Sequence, residues 1–405
     1  MTAKATQVDV IIVGAGLAGL TLASLLAKQG KSLAIIDRVL PSEFDCETPY
    51  DVRVTAVSPG SRAIFEHIGI WPNVQAKRVS AFDAMVVWDE ASSAKIRFVA
   101  REVRQPVLGY IVENRVIQSS LYESLLGVSG IHWCVPESVT DIVHCDDVVE
   151  VILENKQVLR AKLLVGADGS RSGIRGLAEI SHAEKLYLQQ GIVANVQTEF
   201  SHQRTAWQRF LKTGPLALLP IGADKENREC SIVWSADHGY AEQLMQMGEE
   251  EFSQEITKAS DSRLGNIRLM SERVSFPLVS GQAKDLVKPR VALVGDAAHT
   301  LHPLAGQGAN LGLTDVAVLA DVLENTERDM GSLRVLRKYE RARAGEIQVM
   351  QFAMDAFVAV FGSSSKPVVT ARSIALDMAA QTPSMKRFFM EHAMGLSRDR
   401  PVFAR

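Results

Sequence analysis

An unbroken apolar run, Val10-Ile11-Ile12-Val13, meets the glycine-rich stretch Gly14-Ala15-Gly16-Leu17-Ala18-Gly19 and passes into Leu20 to Lys28, where helix formers stand at nearly every position. A short β-branched run predicts a strand buried on both faces, and the stretch after it predicts a helix. A second apolar run, Leu33 to Ile36, ends at Asp37. Strand, glycine turn, helix, strand and acid, in that order, make a dinucleotide-binding βαβ unit. Gly14 then forms the tight turn, Gly16 admits a pyrophosphate to the backbone, and Gly19 lets the helix pack on its strand. The free N–H groups and positive dipole end of the helix face the phosphates. Asp37, 18 residues past Gly19, accepts from ribose hydroxyls and argues against a 2′-phosphate.

Two later segments repeat the theme of a buried strand ending in an acid. Ala161 to Val165 leads into Gly166-Ala167-Asp168-Gly169, with Arg175 close enough in sequence to orient the Asp168 carboxylate. Val291 to Val294 leads into Gly295-Asp296-Ala297-Ala298-His299, and a Pro/Gly-rich loop then opens a helix near Ala309. Such a loop sets backbone N–H groups against a ligand, with a helix amino terminus behind it. Leu216 to Pro220 and Cys230 to Trp234 are short strand-like runs. Ile347 to Phe361 is amphipathic, with Gln348, Gln351 and Asp355 on one side and Met350, Met354, Phe357, Val358 and Phe361 on a broad apolar face expected to pack on the protein's own core.

Composition narrows this picture. With 405 residues, 47% of them hydrophobic, the chain has material for a large core and two intimately packed domains. A net charge of −3 gives no bulk affinity for nucleic acid. Residues 331 to 405 carry 12 Lys plus Arg against 6 Asp plus Glu, a basic tail of +6 on a body of −9. The four cysteines, Cys46, Cys134, Cys145 and Cys230, show no CxxC spacing, so neither a zinc site nor a disulfide framework is expected. His299 and His302 lack a third ligand nearby, and no metal is expected. The fingerprint begins almost at once, so no transit peptide is expected and a reducing cytoplasm fits best.

Taken together, the three acid-ended segments resemble the dinucleotide fingerprint, Asp-Gly motif and Gly-Asp motif of the single-component, class A flavoprotein monooxygenases. The run from His302-Pro303-Leu304 through Gly306-Gln307-Gly308-Ala309-Asn310 to Gly312 resembles the signature of the ubiquinone-biosynthesis hydroxylases within that group. So do Val87-Trp88-Asp89, Ile111-Val112-Glu113-Asn114, Ser231-Ile232-Val233-Trp234-Ser235 and Tyr339-Glu340-Arg341, and the likeness covers almost the whole chain. Ala309 stands where that family has a larger apolar residue. With Ala393-Met394-Gly395-Leu396, the pattern looks closest to the members that hydroxylate 2-polyprenylphenol, although sister enzymes acting at other ring carbons share most motifs.

The resemblance implies an α/β protein with a Rossmann-like FAD-binding domain of the para-hydroxybenzoate hydroxylase type, an inserted β-rich substrate domain and C-terminal helices. It divides the chain into an FAD domain (1–75, 105–180, 270–340), a substrate domain (76–104, 181–269) and a helical tail (341–405). It implies non-covalent FAD, with Gly14, Gly16 and Gly19 on the pyrophosphate, Asp37 and Arg38 at the adenosine ribose, and Asn114 and Asp168 beside the cofactor. Gly295 and Asp296 serve the ribityl chain, and Gly306, Gln307, Gly308 and Asn310 face the isoalloxazine. Candidates for catalytic work are Arg53, which matches an arginine near the mobile flavin, Pro303 in the loop, and His299 as a base. Reduced FAD would add O₂ to form a C4a-hydroperoxide that hydroxylates a polyprenylated phenol or quinol in ubiquinone biosynthesis.

No GxSxG, HExxH or second complete GxGxxG is present, so the reductant, NAD(P)H or a protein donor, comes from outside. A polyprenylated substrate calls for a hand-off surface. The basic, Met- and Phe-rich tail is the expected place for it, on a membrane or on partners of a biosynthetic complex, at the inner membrane's cytoplasmic side. A homo-oligomer is compatible with this reading. Three further readings stay open: a flavin enzyme acting on another aromatic substrate, a prenyl reductase of related fold that would consume no oxygen, and a flavin-bearing assembly subunit without turnover. A halogenase does not fit, since none of the five tryptophans forms a Trp-x-Trp pair.

Overall fold

The structure, a computed structural model, describes residues 6–222, 226–301, 306–362, 365–396 and 401–404. The fingerprint run becomes the strand Thr6–Val13, central in an eight-stranded sheet between the parallel strands Val158–Gly166 and Leu33–Ile36. Because it is flanked by strands on both edges and covered on both faces, Val10, Ile11 and Ile12 are fully buried, which is why this run does not alternate. The helix Leu17–Lys28 packs on the helices Asn114–Leu125 and Gly308–Glu324. All three acid-ended segments therefore converge on the carboxyl ends of the parallel strands, where open α/β sheets hold ligands.

A second, nine-stranded sheet is mostly antiparallel. Its centre runs through His182–Thr198, Glu229–Asp237, Gly214–Pro220 and Thr205–Leu211, continuing to Ala84–Asp89. Ile192, Trp234 and Leu218 share one face and build a core with the helices His238–Gln246 and Glu249–Ala259. The opposite face carries Val193, Val233, Ala217 and Leu219 and turns toward the first domain, where Asn195 Nδ2 donates to the Tyr50 carbonyl at 2.8 Å. The domain boundary expected at residue 269 needs correction. Val274–Ala283 pairs along most of its length with the second edge of the long strand His182–Thr198, and His299–Thr300 joins the outer edge of Val274–Ala283.

The carboxyl-terminal helices span both domains. In Leu333–Phe361, Tyr339 Oη donates to the Leu293 carbonyl at 2.8 Å, while Asp355 accepts from Lys185 and Tyr187 and Phe361 stacks on Phe210 at 3.8 Å. The next helix, Lys366–Gln381, is fastened by a buried ion pair, Arg372 Nη2 to Asp89 Oδ1 at 3.0 Å. The expected apolar face is only partly inward. Met354 and Phe361 are buried and Met350 and Val358 half-buried, but Phe357 is exposed, and so are Val349 and Phe352 outside the expected face.

Candidate cofactor and substrate site

Three glycines of the fingerprint do three different things. At Gly14, φ is +112° and a Cβ would stand 2.3 Å from the Ala167 carbonyl oxygen. At Gly19 a Cβ would come within 1.9 Å of the Gly14 carbonyl oxygen. At Gly16 nothing lies within 4 Å of that position. The first two glycines are demanded by the protein's own packing, whereas Gly16 opens onto a cradle that a side chain would fill. Gly16 caps the following helix without a side-chain hydrogen bond, and no acid stands in the first turn, so a diphosphate meets unopposed N–H donors. Asp37 borders the same turn: its Oδ2 accepts from Ala15 N at 2.5 Å and its Oδ1 from Arg38 N at 2.6 Å. The Arg38 side chain is exposed beside it.

Asp168 lies next to the Gly14 turn, since Ala167 N donates to the Val13 carbonyl at 2.8 Å. Its carboxylate is oriented by Ser172 Oγ at 2.6 Å and Ile174 N at 3.1 Å. Arg175 was expected to orient it and does not. That guanidinium is buried and donates to the Ala297 and Ser170 carbonyls, at 2.9 and 2.8 Å, tying the Asp-Gly segment to the Gly-Asp segment.

At the Gly-Asp segment, Gly295 takes φ +60° and its N–H donates to Asp315 Oδ2 at 3.0 Å. Asp296 is open to solvent on one side and hemmed in on the others. Burial raises its carboxyl above the ordinary value, against the pull of His299 and with a push from Asp315. His299 is buried, with Nε2 at 2.6 Å from Asp315 Oδ2. Its Nδ1 has no partner among the described residues. Asp315, fully buried, also accepts from Arg343 Nε at 2.7 Å. Burial pushes its carboxyl up, but His299 and Arg343 outweigh that and hold it below the usual carboxylate range. Asp315 and Arg343 escaped the sequence reading. The available signal was a lone acid in the apolar stretch Leu311 to Ala320.

The loop that carries Arg53 is tightly built. Glu113, buried, accepts from Asp51 N at 2.7 Å and pairs with Arg115 and Arg78, whose guanidinium also lies 4.6 Å from the Tyr50 ring centroid. Arg53 itself is exposed, and its guanidinium has no partner among the described residues; only its backbone is bonded, to Asp51 and Asn114. Asn114 Oδ1 accepts from Thr55 Oγ1 at 2.6 Å. Gly306, at φ +60°, sits against Ala56, so the glycine loop and the Arg53 segment are neighbours. Gln307 and Gly308 open the helix Gly308–Glu324, and no Cβ contact crowds Gly308. The Asn310 amide is buried and committed: Nδ2 donates to the Ala56 carbonyl, and Oδ1 accepts from Ser58 N and Ser61 Oγ. It shapes the loop instead of presenting its amide to a ligand. Pro303 lies outside the described residues.

The family described as "FAD binding domain" matches residues 7–353. Over 392 residues the chain is 36% identical to the 3-demethoxyubiquinol 3-hydroxylase of Escherichia coli (strain K12), covering 96% of this chain and 98% of that protein. It is 35% identical to the ubiquinone hydroxylase UbiL of Rhodospirillum rubrum, over 98% of this chain and 91% of that one. Among solved structures, p-nitrophenol 4-monooxygenase PnpA from Pseudomonas putida DLL-E4 superposes with a TM-score of 0.77 at 19% identity, covering 97% of this chain and 99% of PnpA, a likeness of fold.

Proposed function

Because the chain belongs to the FAD-binding-domain family, and within it to the ubiquinone-biosynthesis hydroxylases, we propose that it is an FAD-dependent monooxygenase hydroxylating the ring of a polyprenylated phenol or quinol. The observation that carries the reading is the open Gly16 cradle, bordered by Asp37, in a chain whose half-buried apolar sheet face adjoins the Arg53 loop. FAD bound there supplies the oxygen chemistry; the protein holds its diphosphate on N–H donors, its ribose on Asp37, and its ribityl chain on Asp296. The solvent-open Asp296 carboxyl offers acceptor oxygens to a hydroxyl-rich partner. Ala217, Leu219 and Val233 exclude water from the ring, and Arg53 offers a free positive charge at the site's edge. His299, committed to Asp315, supports the Gly295 turn and is not assigned the part of base.

NAD(P)H is the reductant in this reading, supplied from outside, since the chain has one complete dinucleotide fingerprint. The 36% identity to a 3-demethoxyubiquinol hydroxylase supports a late, already substituted ring in preference to 2-polyprenylphenol. Oxygen uptake by the FAD-loaded protein with NAD(P)H, with and without a short-chain prenylated methoxyphenol, tests this directly. Uptake stimulated by the ring, with a product heavier by one oxygen, is expected; FAD binding without product, even with chemically reduced flavin, would leave the assembly-subunit reading in its place.

The prenyl chain needs a surface as well, and we place the protein at the cytoplasmic side of the inner membrane. Val349, Phe352, Ile374, Met378, Phe388 and Phe389 are all more than half exposed on the three last helices. Leu333–Phe361 is long and apolar enough to cross a membrane, yet Tyr339, Arg343 and Asp355 fasten it to both domains, which favours a helix lying on the lipid surface. Arg343 and Arg372 are consumed by buried ion pairs and add nothing to a lipid contact, whereas the exposed apolar side chains are free to insert. Co-sedimentation with anionic liposomes should fall at least several-fold in Phe352→Glu/Phe388→Glu. Unchanged lipid binding would refute the surface, and loss of a protein complex with lipid binding intact would assign it to a partner.

A further inference from the structure

The inner face of the substrate sheet holds two polar side-chain atoms without a hydrogen-bond partner among the described residues. Asn195, 6% exposed, lies in the strand His182–Thr198, and Ser231, fully buried, is its direct partner across Glu229–Asp237. Asn195 Nδ2 donates to the Tyr50 carbonyl, which fixes the amide's orientation and leaves Oδ1 without a partner among the described residues. Ser231 Oγ is also without one. Buried polar side chains are bonded with few exceptions, and each exception calls for a cause. Here two exceptions stand opposite each other, with the apolar residues Val193, Val233, Ala217 and Leu219 to one side of the pair and Gln197 and Glu229 to the other. Three of those four apolar residues are only half-buried although they sit on interior strands, so the face stays partly open beside the two buried polar atoms.

We propose that Asn195 and Ser231 read the oxygen substituents of the aromatic substrate: Asn195 Oδ1 accepts from the phenolic O–H, and Ser231 Oγ bonds the oxygen on the neighbouring ring carbon. An amide oxygen can only accept, so it selects a ring bearing a hydroxyl over one bearing an ether. The serine hydroxyl donates or accepts and tolerates a methoxy, carbonyl or second hydroxyl. Residues directly opposite on paired strands stand about 4.5–5.5 Å apart at Cβ, close enough to share one edge of a single ring. The bond from Asn195 to Tyr50 also joins this reader to the loop that carries Arg53, three residues on, so ring position and loop position are set together. A site built to bond a hydroxyl discriminates strongly against an analogue lacking it, because its own buried group is then left unpaired.

This inference rests on the hydroxylase reading, and a binding assay separates the two. The FAD-loaded protein is titrated, by perturbation of its flavin spectrum, with a short-chain prenylated 2-methoxyphenol and with the corresponding dimethyl ether. The wild-type protein should prefer the phenol by about ten- to hundredfold, the scale of one buried hydrogen bond to an otherwise unpaired group. Asn195→Leu should abolish that preference while binding the ether as before, and Ser231→Ala should weaken both rings by about tenfold or less. Should Asn195→Leu fail to retain FAD, Ser231→Ala, which deletes one atom, decides the case through KM, which should rise with kcat little changed. Equal binding of phenol and ether by the wild type, a preserved preference in Asn195→Leu, or an unmoved KM in Ser231→Ala would each overturn the proposal. Discrimination without any oxygenated product would instead sink the hydroxylase reading and leave the ring reader standing.

Discussion

Gly16 and Gly19 stand three residues apart in one motif, yet the structure gives alanine opposite consequences at each. At Gly19 a Cβ would be 1.9 Å from the Gly14 carbonyl, against the 3.0 Å that real Cβ atoms respect. Relief requires the turn or the helix to move by about 1 Å in a packed core, a displacement that costs roughly 1–3 kcal/mol or more. Gly19→Ala should therefore lower the thermal midpoint of the apoprotein itself. At Gly16 the backbone, φ −78° and ψ −174°, suits alanine and the added carbon meets open space. Loss of a favourable helix cap, about 0.5–1 kcal/mol, is offset by a similar gain from the stiffer unfolded chain. Apoprotein stability should stay within about 1 kcal/mol of wild type. The cofactor's diphosphate is then held off the first-turn N–H groups. One lost charge-assisted hydrogen bond, about 1.5–3 kcal/mol, corresponds to roughly 10- to 150-fold weaker binding. Thermal denaturation of both apo variants, followed by FAD titration of Gly16→Ala with fluorescence, checks the pair. Wild-type FAD affinity in Gly16→Ala, or a large loss of apo stability there, would refute the cradle.

Two other perturbations test the supports of the site. Replacing Arg372 by methionine strands the buried Asp89 carboxylate and should cost about 3–5 kcal/mol in urea denaturation, whereas the double change Asp89→Asn/Arg372→Met should recover much of it. The Asp315 carboxyl is held below its ordinary value in the fold, so its contribution is complete above the unfolded value of about 3.9 and fades as pH falls through the lower folded value. The thermal midpoint of Asp315→Asn should thus lie well below wild type at pH 7, and the gap should close below about pH 4; a gap independent of pH would show that charge pairing with His299 and Arg343 is not what stabilises this turn.

The cofactor half of the protein was legible along the chain because its determinants are local. A β-branched run, three glycines, a helix and an acid lie within Val8 to Asp37, and each constraint acts between near neighbours: Gly14 against Gly19, Ala15 against Asp37. Turn chemistry already assigned Gly14 to the turn, Gly16 to a pyrophosphate and Gly19 to helix packing, but the second clamp on Gly14 comes from Ala167, far along the chain. The reading also paired Asp168 with Arg175, its near neighbour, while the fold sends that guanidinium to Ala297 and Ser170. Arg343 and Asn195 had no local pattern to mark them, Asp315 showed only as an acid in an apolar stretch, and Ser231 stood in a strand-like run without a role. A buried carboxylate balanced by a histidine and an arginine from other elements, or an amide oxygen left unpaired between two domains, exists only once strands and helices distant in sequence have packed. Periodicity and turn chemistry set which elements form, because they depend on spacing alone. Which polar groups are satisfied, and which are left for a substrate, is decided by long-range packing, because only packing removes water from around them.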